Sequence, residues 1–87
     1  MNKVFSDAAW EQYKYWQMHD GKILKKINSL IKDIERGAFD GIGKPEPLKN
    51  ELSGLWSRRI TEEHRLIYFV DDDNIYIAKC GGHYEKK

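Results

Sequence analysis

Between Asp20 and Gly37 the apolar residues Ile23, Ile27, Leu30, Ile31 and Ile34 recur at i, i+4, i+7, i+8 and i+11, the spacing that lines one face of an α-helix. No other stretch restricts the fold as tightly, because such a stripe of branched side chains needs an apolar surface to cover it. Asp20 is placed to cap the helix start, and Gly37 is expected to close it in a left-handed conformation. Upstream, Ser6 or Asp7 can cap a first helix reaching to Met18. On it Trp10, Tyr13 and one or both of Trp16 and Gln17 fall at spacings of three and four, with Tyr15 flanking. This stripe reads as core rather than ligand site. The two helices, broken at Asp20-Gly21, make a hairpin with two apolar faces to bury.

The second half of the chain must supply the surface. Leu55–Ile60, Arg65–Val70 and Ile75–Cys80 are rich in β-formers, and the polar links Thr61–His64 and Asp71–Asn74 are short enough for hairpins. An antiparallel meander is expected, with Val4-Phe5 as a short first strand added to it. The fold class is α+β: an N-terminal strand and a two-helix hairpin packed on an antiparallel sheet. The stretch from Gly37 to Gly54 holds four further interruptions of helix and strand in its glycines and two in its prolines, so no regular element is expected to run through it. Long irregular segments in small domains are often functional.

A chain of 87 residues has room for one core, so residues 1–87 are expected to form a single domain. Its 40% apolar and 13% aromatic content excludes intrinsic disorder. Cys80 alone can form neither an internal disulfide nor a thiolate zinc cage, and no membrane span is expected from an apolar run as short as Leu66–Val70. The lone thiol and the N-terminus Met1–Asp7, which lacks a signal-type apolar stretch, point to the cytoplasm. A net charge of +1 excludes bulk polycation behaviour, so a nucleic-acid site must arise from local arrangement. Asp71–Asp73 form one cluster, while Lys44, Lys49, Arg58, Arg59 and Arg65 gather mid-chain. The scattered carboxylates lack the clustering of a magnesium site, so no metal or cofactor is expected.

Three groups of residues can carry chemistry. Pro45 and Pro47 restrict the backbone around Glu46 and push Lys44 towards extended conformations, giving a rigid carboxylate that is either a general base or a surface turn. Arg59 and Arg65 fall on one face of the hairpin if odd positions oppose each other, and a phosphate is the natural anion to bridge them. For Arg58 a structural pair with Glu62 or Glu63 is an equal alternative, and His64 reads as a polar turn residue. After Gly81-Gly82, which allow a sharp bend, come His83 and Tyr84. A carboxylate, a guanidinium and an imidazole are what RNA cleavage by its own 2′-hydroxyl requires: a base, a charge stabiliser and an acid. Tyr84 can stack on an unpaired base.

These motifs resemble a known family. Lys44-Pro-Glu-Pro-Leu-Lys49, the run Leu52 to Leu66 and the closing His83-Tyr84 are similar to the YoeB/Txe toxins of the RelE/ParE superfamily, and the similarity extends to Trp10, Tyr15-Trp16, Lys25–Asn28 and Ile31–Asp33. The resemblance implies a RelE-like microbial ribonuclease fold and a type II toxin that cleaves mRNA in the ribosomal 30S A site. It also implies a YefM/Axe-like antitoxin partner and the capacity to form a homodimer. The implied site has Glu46, Arg65 and His83 as catalytic residues, with Lys49, Arg59 and Tyr84 binding RNA. A glutamate's ordinary pKa of about 4.3 makes it a weak base at neutral pH, so Glu46 either takes the 2′-hydroxyl proton or orients that hydroxyl. Gly81-Gly82 stands where the family carries bulkier residues, implying a mobile His83, and three residues follow Tyr84. The tail from His83 onward is expected to lie against the cationic groove and to be displaced by an acidic antitoxin segment. The competing readings are a non-catalytic ParE-like inhibitor of gyrase and a plain RNA-binding module.

Overall fold

The computed structural model describes residues 1–81. Strand β1 (Asn2–Phe5) leads into helices α1 (Asp7–His19) and α2 (Gly21–Arg36), followed by β2 (Glu46–Pro47), β3 (Trp56–Arg59), β4 (Arg65–Val70) and β5 (Asn74–Cys80). The strands form one sheet in the order β1-β5-β4-β3-β2. The expected meander β3-β4-β5 is antiparallel, and β1 is added to it parallel to β5.

Ser6 caps α1 by accepting from the Ala9 N–H, and Asp20 caps α2 by accepting from the Lys22 and Ile23 N–H groups. The α2 stripe is as expected: Ile27, Leu30, Ile31 and Ile34 are buried against Leu66, Tyr68, Ile75 and Ile77 of the sheet. On α1 the expected stripe holds at Trp16, which is buried, and at Tyr13, which packs partly buried against the core, but not at Trp10, whose place is taken by Ala9 and Gln12. Ala9, Gln12 and Trp16 are buried while Trp10 is 46% exposed and stacked on Tyr13. The reason is polar: Gln12 Oε1 accepts from the Cys80 N–H at 2.7 Å and Trp16 Nε1 donates to the Cys80 carbonyl at 3.0 Å, which turns this face onto the end of β5.

Gly37 does not adopt the expected left-handed conformation; its φ is −160°. A Cβ there would meet Asp40 Oδ1 at 2.6 Å, the end of an exposed side chain that can move aside, so neither handedness nor packing demands glycine at this position. Lys44 likewise departs from the extended form expected before Pro45, with φ 54°. The turn is imposed by Gly43, whose φ is 82°, whose carbonyl accepts from the Arg59 N–H at 2.6 Å and where a Cβ would collide with Leu30 and crowd Arg58. The segment expected to be irregular therefore contains a two-residue strand and a 3-10 turn, Asn50–Leu52.

Between Ile67 and Tyr68 the β4–β5 register shifts. The bulge inserts Ala78, so that Ile75, Ile77 and Cys80 all face the helices while Lys79 pairs with Ile67 on the opposite face. The helices cover one face of the sheet. The other, here called the outer face, carries the candidate site.

Candidate active site

Cross-strand register places the expected residues. Glu46 on β2 lies opposite Ser57 on β3, which lies opposite Ile67 on β4. Directly opposed residues share a face, and Trp56 and Arg58 point to the helix side, so Glu46, Ser57 and Ile67 form a row on the outer face. Arg59 and Arg65 are directly opposed two residues along the same strands and share that face. With strands about 4.8 Å apart and about 3.4 Å per residue, Glu46 and Arg65 stand about 12 Å apart at Cα, with both side chains projecting from one surface. Lys49 lies exposed at the start of the 3-10 turn that follows β2.

Beside Arg65 the outer face holds a groove of about 390 Å³, walled by Leu52, Leu55, His64, Ile67, Ala78 and Lys79. Arg65 Nη1 donates to the carbonyls of Thr61, Glu62 and His64 at 2.8, 3.0 and 3.2 Å. These carbonyls offset the repulsion from Arg59. Arg65 Nε and Nη2 have no partner among the described residues, and that edge is the fork a phosphate takes bidentately. Arg59 is exposed and forms no ion pair among the described residues.

Arg58 does not belong to this cluster; of its two alternatives the structural ion pair is the one found, but with Asp33 rather than with Glu62 or Glu63. Strand alternation sends its side chain to the helix side, where it is fully buried and pairs with Asp33 of α2 at 2.6 Å. Bonds from Arg36, then Arg58, then the Ile42 N–H hold the Asp33 carboxyl far below the usual carboxylate range.

The site residues 83 and 84 lie outside the described residues, as does the expected tail position. The chain reaches them through Gly81, which is buried with φ 76°. A Cβ on Gly81 would meet His64 Cβ at 2.8 Å, so the positive φ and the close approach to His64 both favour glycine here; the bend expected over Gly81-Gly82 lies partly outside the described residues.

Residues 5–84 match the family model described as YoeB-like toxin of bacterial type II toxin-antitoxin system. The chain belongs to this family. It is 60% identical over 84 residues to Toxin YoeB of Escherichia coli strain K12, covering 97% of this chain and 100% of that one. Among solved structures, a YoeB dimer from Staphylococcus aureus is 58% identical with a TM-score of 0.89. The heterotetrameric YoeB-YefM toxin-antitoxin complex from the same organism is also 58% identical, with a TM-score of 0.91, and each match covers 97% of this chain and 98% of the other. The expected fold class and family are therefore those of the toxin.

Two residues of the toxin's groove escaped the sequence reading. His64, taken for a polar turn residue, is half-buried, meets Trp16 edge-on at 5.0 Å between ring centroids and walls the groove. Lys79 joins the outer face only because of the bulge. The lone thiol, Cys80, is buried beneath α1, where Sγ approaches the Ala9 carbonyl at 3.4 Å and burial pushes its pKa up to about 12. It is chemically inert at neutral pH. Among the described residues no helix is long and apolar enough to cross a membrane.

Proposed function

We propose that this toxin, a single domain acting in the cytoplasm, is an endoribonuclease that cuts mRNA in the ribosomal A site without a metal ion. The observation that carries the reading is the placement of Glu46, Arg59 and Arg65 on one open sheet face beside a groove, with the Nε–Nη2 edge of Arg65 unengaged among the described residues. Glu46 engages the 2′-hydroxyl, and as its proton leaves, the oxygen attacks the adjacent phosphorus. Arg65 takes the developing charge on the phosphorane in its fork. The P–O5′ bond breaks and the leaving oxygen receives a proton from His83, giving a 2′,3′-cyclic phosphate that water opens to a 3′-phosphate. Arg59 and Lys49 hold neighbouring phosphates, and Tyr84 stacks on a base. The ribosome supplies a strand already aligned for in-line attack, and such alignment is worth on the order of 7 kcal/mol in favourable cases.

The partner that restrains the toxin is a YefM-like antitoxin, as the complex formed by its Staphylococcus aureus relative suggests, and the relative's dimer supports self-association. The test is cleavage of mRNA on programmed ribosomes with mapping of the product ends. A cyclic or 3′-phosphate is expected, and a 2′-O-methyl group at the cut nucleotide is expected to abolish cleavage. Binding without cleavage would make this an RNA-binding module, and inhibition of gyrase with intact mRNA a ParE-like poison.

A further inference from the structure

The buried charge on the helix side of β3 has no part in the chemistry above, yet its bonds lead to Glu46. Each of the five N–H donors of Arg58 has an acceptor. Nε donates to the Tyr68 hydroxyl at 3.1 Å, Nη1 to Asp33 Oδ2 at 2.6 Å and the Ile42 carbonyl at 3.1 Å, and Nη2 to the carbonyls of Gly37 and Asp40 at 2.7 and 3.0 Å. Tyr68 in turn donates to the Ala38 carbonyl at 2.6 Å, and Asp33 Oδ2 accepts from the Ile42 N–H at 3.0 Å. One guanidinium thus ties both ends and the middle of segment 37–42 to the sheet. The next four residues, Gly43 to Glu46, complete the path to the outer face.

A buried ion pair is weak evidence for stability, since apolar side chains of similar volume often serve as well. What the planar fork supplies is direction: its donors point at fixed angles and accept one arrangement of the backbone around them. The segment needs such a constraint, because Gly37, Gly41 and Gly43 leave it little conformational preference of its own. Strand β2 needs it too. It has two residues at the sheet edge, one of them a proline that cannot donate, and its nearest flanking bonds run from the Arg59 N–H to the Gly43 carbonyl and from the Leu48 N–H to the Leu55 carbonyl, so where Glu46 sits depends on how the chain enters at Gly43. We infer that Arg58 is a positioning residue for Glu46, fixing the carboxylate against the RNA through the segment 37–43; this rests on the reading of Glu46 as the group that engages the 2′-hydroxyl.

The experiment is a mutant cycle read by single-turnover cleavage on programmed ribosomes. The variants are Arg58→Lys, which keeps charge and loses the fork, and Tyr68→Phe, which removes one hydroxyl and keeps the ring. Each is made alone and with Glu46→Ala. Misplacement of a reacting group by about 1 Å costs up to about 100-fold, so Arg58→Lys is expected to lower the saturating rate roughly 10- to 100-fold. Tyr68→Phe is expected to lower it several-fold, and both leave the half-saturating toxin concentration within about threefold of wild type. In the Glu46→Ala background neither substitution lowers the rate further, because a positioning residue has nothing left to position. Losses that multiply with Glu46→Ala, or that appear only as weaker ribosome binding, overturn the proposal while leaving the role of Glu46 intact. Wild-type cleavage by Glu46→Ala would instead overturn that role, and the proposal with it. Should Arg58→Lys fail to fold, Tyr68→Phe carries the same comparison.

Discussion

At the scale of single residues, the outer face separates groups by how their bonds are spent. Arg58 uses every donor on the protein, whereas Arg65 commits one nitrogen to turn carbonyls and, among the described residues, leaves its Nε–Nη2 edge unengaged, the edge proposed to grip a phosphate. Arg65→Ala is therefore expected to cut the cleavage rate by roughly 100-fold or more, with only a small drop in melting temperature, because the bonds it loses run to carbonyls of one partly exposed turn and no ion pair is lost among the described residues. Arg65→Lys is not expected to restore it, since an ammonium cannot grip a phosphate bidentately. A large fall in melting temperature alongside the loss of activity would give Arg65 a structural role. Period-two alternation made Arg59 and Arg65 readable as face-sharing residues, and the prolines made Glu46 readable as a fixed carboxylate. Strict alternation would send Lys79 inward after Ile75 and Ile77, and it is the extra residue Ala78 that turns it out; a bulge changes the count without changing the composition. His64 stayed hidden for a different reason. Its role comes from Trp16, which is remote in sequence and reaches it only through tertiary packing.

At the scale of elements, α2 and the segment after it behave as one unit. The helix was legible because its burial follows a simple period, while segment 37–49 was not, because its order comes from side chains lying elsewhere. Gly43 marks the junction: with φ 82°, a Cβ would lie 2.7 Å from Leu30 Cδ2 and 3.2 Å from the Arg59 carbonyl. Gly43→Ala is expected to destabilise the fold by about 1–3 kcal/mol, the usual range for overpacking, as read by chemical denaturation. Unchanged stability would mean the segment is not seated on α2. Asp33 gives the same unit a pH dependence. Its carboxyl is held below the ordinary range by Arg36, Arg58 and the Ile42 N–H, and those of Glu35 and Asp71 are lowered chiefly by Lys3 and by the Asp73 N–H. Each is a stronger acid folded than unfolded. The stability each contributes is thus complete above the ordinary carboxylate pKa, about 4, and is lost as pH falls through its lowered folded value. The melting temperature is expected to decline below about pH 5, and less steeply in Asp33→Asn, which has lower stability at neutral pH and one fewer proton to take up. A parallel decline in both proteins would remove Asp33 from the acid response.

At the scale of the whole molecule, the charges nearly cancel in number and separate in space. Strand β4 starts at Arg65 and ends at Val70, so the acidic turn Asp71–Asp73 lies about 20 Å from the arginine pair along an extended strand. The outer face thus offers phosphates a favourable end and an unfavourable one, with Lys49, Arg59, Arg65 and Lys79 as its exposed or partly exposed cations. Counterion release sets what such a face can achieve alone. Single-stranded nucleic acid gives a slope of about −0.7 in log K against log salt for each phosphate neutralised, so these cations together yield at most about −3. A surface with so few contacts, on a chain whose net charge is only +1, is expected to bind free RNA weakly, at micromolar or higher Kd at physiological salt. Cleavage then depends on a substrate held in place by something else. The expected result is a shallow salt slope and slow cutting of naked mRNA beside fast cutting of the same sequence on ribosomes. Equal rates on both substrates, or a slope much steeper than −3, would mean that the toxin's own surface recruits RNA and that the described face omits most of the binding site.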